Sequence, residues 1–174
     1  MTGLDAIAAM FAHAKEQNRA AFLPFFMVGY PNYDESIDIL AAMAAEGADG
    51  FEIGIPFSDP LADGPTIQAA SQVALENGIG VVDGLRAVRD LRGRGVHQAI
   101  LLFSYLNPVL AYGVERFILD AKAAGAQGFI IPDLPPGEGE PEQEEEEAAV
   151  SALREALDTL EHLAQELRAL ATRN

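Results

Sequence analysis

The sequence predicts an α/β fold in which about four parallel strands, covered by helices, curve as a partial (β/α) barrel and are followed by a long C-terminal amphipathic helix. Three observations carry this. Short apolar runs of strand length alternate four times with segments of helical spacing along residues 1–136, the order expected of βα units. Those runs are apolar at almost every position rather than at every second one, as strands buried on both faces are. No GxGxxG or Walker-type loop follows any strand, because Gly78, Gly80 and Gly84 have the wrong spacing and fall between helices. A nucleotide-binding open sheet therefore loses weight against the barrel.

Leu4, Ile7, Ala8, Phe11 and Ala14 recur at helical spacing and predict an amphipathic opening helix. Ala21 to Val28 reads as the first strand and Gly29-Tyr30-Pro31-Asn32 as its turn, before Ile37, Ile39, Leu40, Met43 and Ala44 take up helical spacing again. Ala48 to Ile55 is the second strand. A long polar loop follows, and Pro65 suits the first turn of a helix running to about Asn77. A further helix covers Val82 to Leu91, Gln98 to Tyr105 is the third strand, Gly113 to Ala124 is helical, and Gly128 to Ile131 is the fourth strand. After Pro136 the composition changes. Residues 137–147 read as an acidic linker and helix start. Val150, Leu153, Leu157, Leu160, Ala164, Leu167 and Ala171 then set a leucine-striped helix over 148–174.

With 49% hydrophobic residues the chain has enough apolar surface for a core, so general disorder is excluded. The absence of cysteine excludes a disulfide framework and a thiolate metal site, and with no secretory signal in view it points to the cytoplasm. The net charge of −16 is shared unevenly, since residues 138–174 hold 11 acidic and only 3 basic side chains. Neither part clusters the Lys and Arg that a nucleic acid or an anionic membrane needs. His13, His97 and His162 have no ligand spacing among them, so no metal is expected, nor is any cofactor.

Chemistry concentrates in residues 51–66, FEIGIPFSDPLADGPT. Glu52 sits within an otherwise apolar strand, where a carboxylate costs free energy unless it is paired or used. Used, it serves as an acid and a base. Asp63 lies in the loop leaving the same strand's C-terminal end, where parallel barrels place their sites. The pattern admits two readings. The two carboxylates flank one ligand, or Glu52 is a solvent-reaching strand residue and Asp63 a turn former beside Gly64.

FEIGIPFSDPLADGPTIQ resembles the signature of the tryptophan synthase alpha chain family, and LPFFMVGYPN, LLFSYLNPV and GFIIPDLPP resemble that family's first, third and fourth strand ends, in the same order. The resemblance implies an eight-stranded TIM-type (β/α) barrel that cleaves indole-3-glycerol phosphate to indole and glyceraldehyde 3-phosphate beside a beta subunit that consumes the indole. On that resemblance Glu52 matches the general acid/base and Asp63 the carboxylate that accepts the indole N–H. Phe25 and Leu102 match positions lining the indole pocket, with plain core packing the alternative, and Tyr105 matches a tyrosine at the third strand's end. Pro56, Asp59, Asn107 and Pro108 match the surface facing the beta subunit.

The resemblance also implies four further strands, and with them the loops that hold the substrate phosphate, for which no counterpart is read after Pro136. The expectation is therefore a half barrel over 1–136, truncated or joined to an unrelated tail as an engineered chimera, inactive as it stands and self-associating as a scaffold. The alternative is a residual lyase working through Glu52 and Asp63.

Overall fold

The computed structural model describes residues 2–134. The acidic linker and the leucine-striped helix expected over 137–174 lie outside the described residues.

In chain order the elements are α1 (Gly3–Glu16), β1 (Phe25–Met27), α2 (Tyr33–Ala45), β2 (Gly50–Gly54), α3 (Pro65–Glu76), α4 (Val81–Gly93), β3 (Ala99–Phe103), α5 (Leu106–Tyr112), α6 (Val114–Ala124) and β4 (Gly128–Ile130). Local chemistry sets the boundaries. Thr2 and Asp5 form a reciprocal capping box at the start of α1, and the Asn32 side chain accepts the Glu35 N–H at the start of α2. Pro65 opens α3, where its missing N–H costs nothing. Gly125 closes α6 in the left-handed conformation that glycine adopts freely.

All four strands run parallel in the order β1-β2-β3-β4. Side chains alternate across this sheet. Ile53, Leu102 and Phe129 share the face packed under the helices: Ile53 and Leu102 are 0% exposed and the Phe129 ring lies 5.1 Å from that of Phe117 on α6. Ile55 continues this face, and α4 approaches it so closely at Gly84 that a Cβ there would come within 2.6 Å of the Ile55 side chain. The opposite, inner face carries Phe25, Glu52, Leu101 and Gly128 in register, with Met27, Gly54, Phe103 and Ile130 one level further along the strands. At the N-terminal strand ends α1 covers this inner face, Met10 reaching Gly50 and Ile7 reaching Gly128. The C-terminal ends stay clear of it.

One helix was not expected. The sequence reading assigns no element between the third strand and Gly113, yet Asn107 and Pro108 belong to α5. Pro108 falls in the first helical turn, where the backbone N–H groups have no intrahelical acceptor to lose. Gly113, at φ 96°, then separates α5 from α6.

Three polar anchors fix the connections. Arg92, in the last turn of α4, spends its whole guanidinium on the chain: Nε and Nη2 donate to the Gly125 carbonyl (3.1 and 2.8 Å), Nη2 to Gln127 Oε1 (2.7 Å), and Nη1 to the carbonyls of Val96 (2.7 Å) and Gln98 (2.8 Å). Burial lowers its pKa, and none of these acceptors is a carboxylate. After β1, Gly29 has φ 87° and is pinned on both sides, its N–H donating to Ser36 Oγ (3.1 Å) and its carbonyl accepting from Asn77 Nδ2 (2.9 Å).

The third anchor is Asp49, which takes both Arg19 Nη atoms (2.6 and 2.7 Å) and the Phe22 N–H (2.8 Å). The guanidinium first, and then the backbone donor, hold its carboxyl down to about 2, against 3.8 when free. A carboxyl that ionises more readily in the folded chain stabilises the fold above its unfolded value and loses that contribution as pH falls through the folded one. Asp49→Asn is therefore expected to cost about 1 kcal/mol at neutral pH, given screening at the exposed guanidinium. The difference should shrink in acid, between about pH 4 and about pH 2. Urea midpoints of the two proteins across that range check this.

Candidate active site

Glu52 is the polar member of the inner-face row. It stands between Gly50 and Gly54 on β2, in register with Phe25 of β1 and Leu101 of β3, and is half-buried. The glycine above it makes room for a ring. A Cβ at Gly54 would lie 2.5 Å from Phe25 Cζ, so the ring extends across that position. Phe103 meets Phe25 edge-on, with centroids 5.5 Å apart and planes at 86°. An acidic group thus borders an aromatic wall near the C-terminal ends of the strands.

The loop after β2 brings in the second carboxylate. Pairing continues past the strand as Ile55 N–H donates to the Phe103 carbonyl (2.9 Å). The loop then folds on itself through Leu61 N–H to Asp59 O (2.9 Å) and Asp63 N–H to Pro60 O (3.0 Å). Gln68 of α3 donates to the Asp63 carbonyl (2.9 Å). The Tyr105 hydroxyl accepts the N–H of Ala62, the residue before Asp63 (2.9 Å). Burial raises the Asp63 pKa, and the Tyr105 hydroxyl offsets part of that rise. The Tyr105 ring lies between Phe57 (centroids 5.3 Å) and Phe103 (6.5 Å). A row of contacting rings therefore runs from Phe25, the register partner of Glu52, through Phe103 to Tyr105, whose hydroxyl holds the chain next to Asp63.

Of the residues singled out in the sequence, Phe25 and Glu52 share the inner face, and Tyr105 is joined to the chain just before Asp63, beyond the strand ends. Two expectations are corrected. Leu102 pairs with Ile53 on the helix-covered face and is 0% exposed, so it cannot wall a pocket on the side of Glu52; Phe103 takes that place. Pro56 is buried within the chain, whereas Asp59 and Asn107 are exposed and Pro108 is half-buried. Sequence reasoning missed both Phe103 and Gln68. Phe103 was within reach, because it lies two residues before Tyr105 and strand alternation puts such residues on one side.

A separate surface groove of about 360 Å³ lies between this loop and α3, lined by Phe57, Ser58, Pro60, Pro65, Gln68 and Gln72. Neither carboxylate lines it. Chemically, the inner arrangement suits a flat, apolar ring that carries an N–H: the aromatic wall receives the ring, Asp63 is placed to accept a hydrogen bond, and Glu52 is able to exchange protons beside it.

The family model described as "Tryptophan synthase alpha chain" matches residues 11–164. A tryptophan synthase alpha chain of Roseiflexus sp. is 50% identical over 135 residues, covering 78% of this chain and 52% of that protein. Among solved structures, tryptophan synthase from M. tuberculosis superposes with a TM-score of 0.70 at 41% identity, over 74% of this chain and 51% of the other. The alpha subunit from Legionella pneumophila superposes with a TM-score of 0.75 at 33% identity, over 89% and 55%. The chain spans about half the length of these relatives.

Proposed function

The chain belongs to the tryptophan synthase alpha chain family, and on that premise we propose that it carries the acid/base and indole-binding half of a site that cleaves indole-3-glycerol phosphate to indole and glyceraldehyde 3-phosphate. The observation that supports this most directly is the aromatic row joining the surroundings of Glu52 to Tyr105, whose hydroxyl holds the chain next to Asp63.

The chemistry asks for two groups. Indole departs as a neutral molecule only if its C3 gains a proton, and the carbon–carbon bond breaks as the adjacent glycerol hydroxyl loses one and becomes the aldehyde. In this reading Glu52 gives the first proton and takes the second, so its own protonation state is restored. Asp63 accepts the indole N–H and offsets the positive charge that develops on the protonated ring. The small, water-soluble substrate fits the cytoplasmic setting expected from a cysteine-free composition. The exposed Asp59 and Asn107 are offered as part of a surface for a beta subunit.

Barrels of this type commonly hold a substrate phosphate with loops after the seventh and eighth strands, and the described residues form four strands. Among the described residues no such anchor is formed, and a site without one loses orientation worth several powers of ten in rate. The 174-residue chain alone should therefore bind indole without measurable turnover. Indole affinity is expected to fall about tenfold in Asp63→Asn, as a charge-assisted hydrogen bond becomes a neutral one. Unchanged affinity would defeat the reading.

A second reading, self-association as a scaffold, is favoured by the outer edges of β1 and β4, each paired on one side only among the described residues. Indole release at two protein concentrations, with Glu52→Gln as control, bears on both. Activity rising faster than concentration and vanishing in the variant would mean that copies assemble a working lyase site.

A further inference from the structure

We propose that Ser71 is a positioning residue for Asp63, acting through Phe57 and Tyr105. The inference rests on the reading of Asp63 as the acceptor of the indole N–H. Ser71 lies inside α3 and is 1% exposed. Its hydroxyl accepts the Phe57 N–H (3.1 Å) and donates to the Phe57 carbonyl (3.1 Å). A buried hydroxyl spent on both backbone groups of one residue in the preceding loop does nothing for its own helix. It fixes the loop.

What it fixes leads on to Asp63. The Phe57 ring packs on Tyr105 with centroids 5.3 Å apart, and Phe103 meets Tyr105 edge-on at 6.5 Å. The Tyr105 hydroxyl in turn holds the N–H of Ala62, the residue before Asp63. Gln68 secures the Asp63 carbonyl but not its carboxylate. The chain just before Asp63 is therefore seated by Tyr105, and Tyr105 packs on the Phe57 ring that Ser71 holds down.

The test measures two quantities on the full 174-residue chain: the Asp63 titration midpoint, from its carboxyl carbon resonance, and the affinity for indole. In Ser71→Ala the midpoint should move and indole should bind about fivefold more weakly. Phe57→Leu keeps the backbone bonds and removes the ring, so it should reproduce the shift; it also decides the matter if Ser71→Ala does not fold. Ser36→Ala is the control for a merely structural role. Ser36 is equally buried, and its hydroxyl accepts the Gly29 N–H and donates to the Tyr33 carbonyl. That variant should lower Tm and leave both readings where they were. An Asp63 midpoint unmoved in Ser71→Ala and Phe57→Leu, or moved as far in Ser36→Ala, overturns the proposal. Indole affinity indifferent to Asp63→Asn would instead count against the function reading, leaving the titration to judge Ser71.

Discussion

Arg92→Met should lower stability by about 3 kcal/mol, or about 10 °C in Tm. Methionine retains the apolar stem but leaves the carbonyls of Val96 and Gln98 without the donor they now share, while the Gly125 carbonyl and Gln127 Oε1 lose the guanidinium and keep Gln127 Nε2 and the Ile100 N–H. Each orphaned acceptor costs about 1–3 kcal/mol if water cannot reach it. Removing a half-buried charge returns part of that, since burial already disfavours the charged form. The net sign stays unfavourable because the acceptors belong to two separate connections, α4 to β3 and α6 to β4, which cannot both relax toward new partners together. Arg92→Lys should recover little, for an ammonium has three donors on one atom and cannot span acceptors spread around a planar fork. Thermal unfolding of the three proteins checks this; equal Tm values for wild type and Arg92→Met would refute it.

Gly29→Ala is the second large effect, at about 3 kcal/mol. Its φ of 87° strains any residue with a Cβ, and the added atom would sit 2.3 Å from Ile79 Cγ1. Backing away is blocked at both ends, by Ser36 on the amide and Asn77 on the carbonyl. Gly47→Ala separates the two contributions. Gly47 has φ 99° with nothing within 4 Å of an added Cβ, so strain alone applies and about 1 kcal/mol is expected. Urea midpoints that come out equal for the two variants would show that the Ile79 contact costs nothing.

Most of the fold was legible because its signals are local. Apolar runs, a proline at the start of α3 and glycines after helices each constrain the backbone where they stand. What escaped was set by partners distant in sequence. Ala-Ile-Leu-Leu-Phe is apolar throughout, so it carries no period of two to say which side faces the helices; the pairing of Leu101 with Glu52 decides that, and it put Phe103 rather than Leu102 beside the carboxylate. Pro56 is matched to a partner-facing surface only by the family resemblance, and Ile55 still pairs with Phe103 and draws the chain inward at that point. The helix α5 escaped because a proline's place within a helix cannot be known before the helix start is known. For the carboxylates themselves, Glu52 was visible as a charge in an apolar strand, whereas the hold of Tyr105 on the chain before Asp63 joins residues with no periodic relation.

The loop that carries Asp63 is gripped largely through its main chain: Ser71 holds the amide and carbonyl of Phe57, Gln68 the carbonyl of Asp63, and Tyr105 the amide of Ala62. Main-chain atoms are the same whatever side chain is attached, so these clamps are blind to the identity of the residues they hold. Ser58, Asp59 and Leu61, all exposed, can thus be exchanged by drift or by design while Asp63 keeps its place. The outward surface is free to diversify toward different partners, and the inward chemistry need not be rebuilt each time.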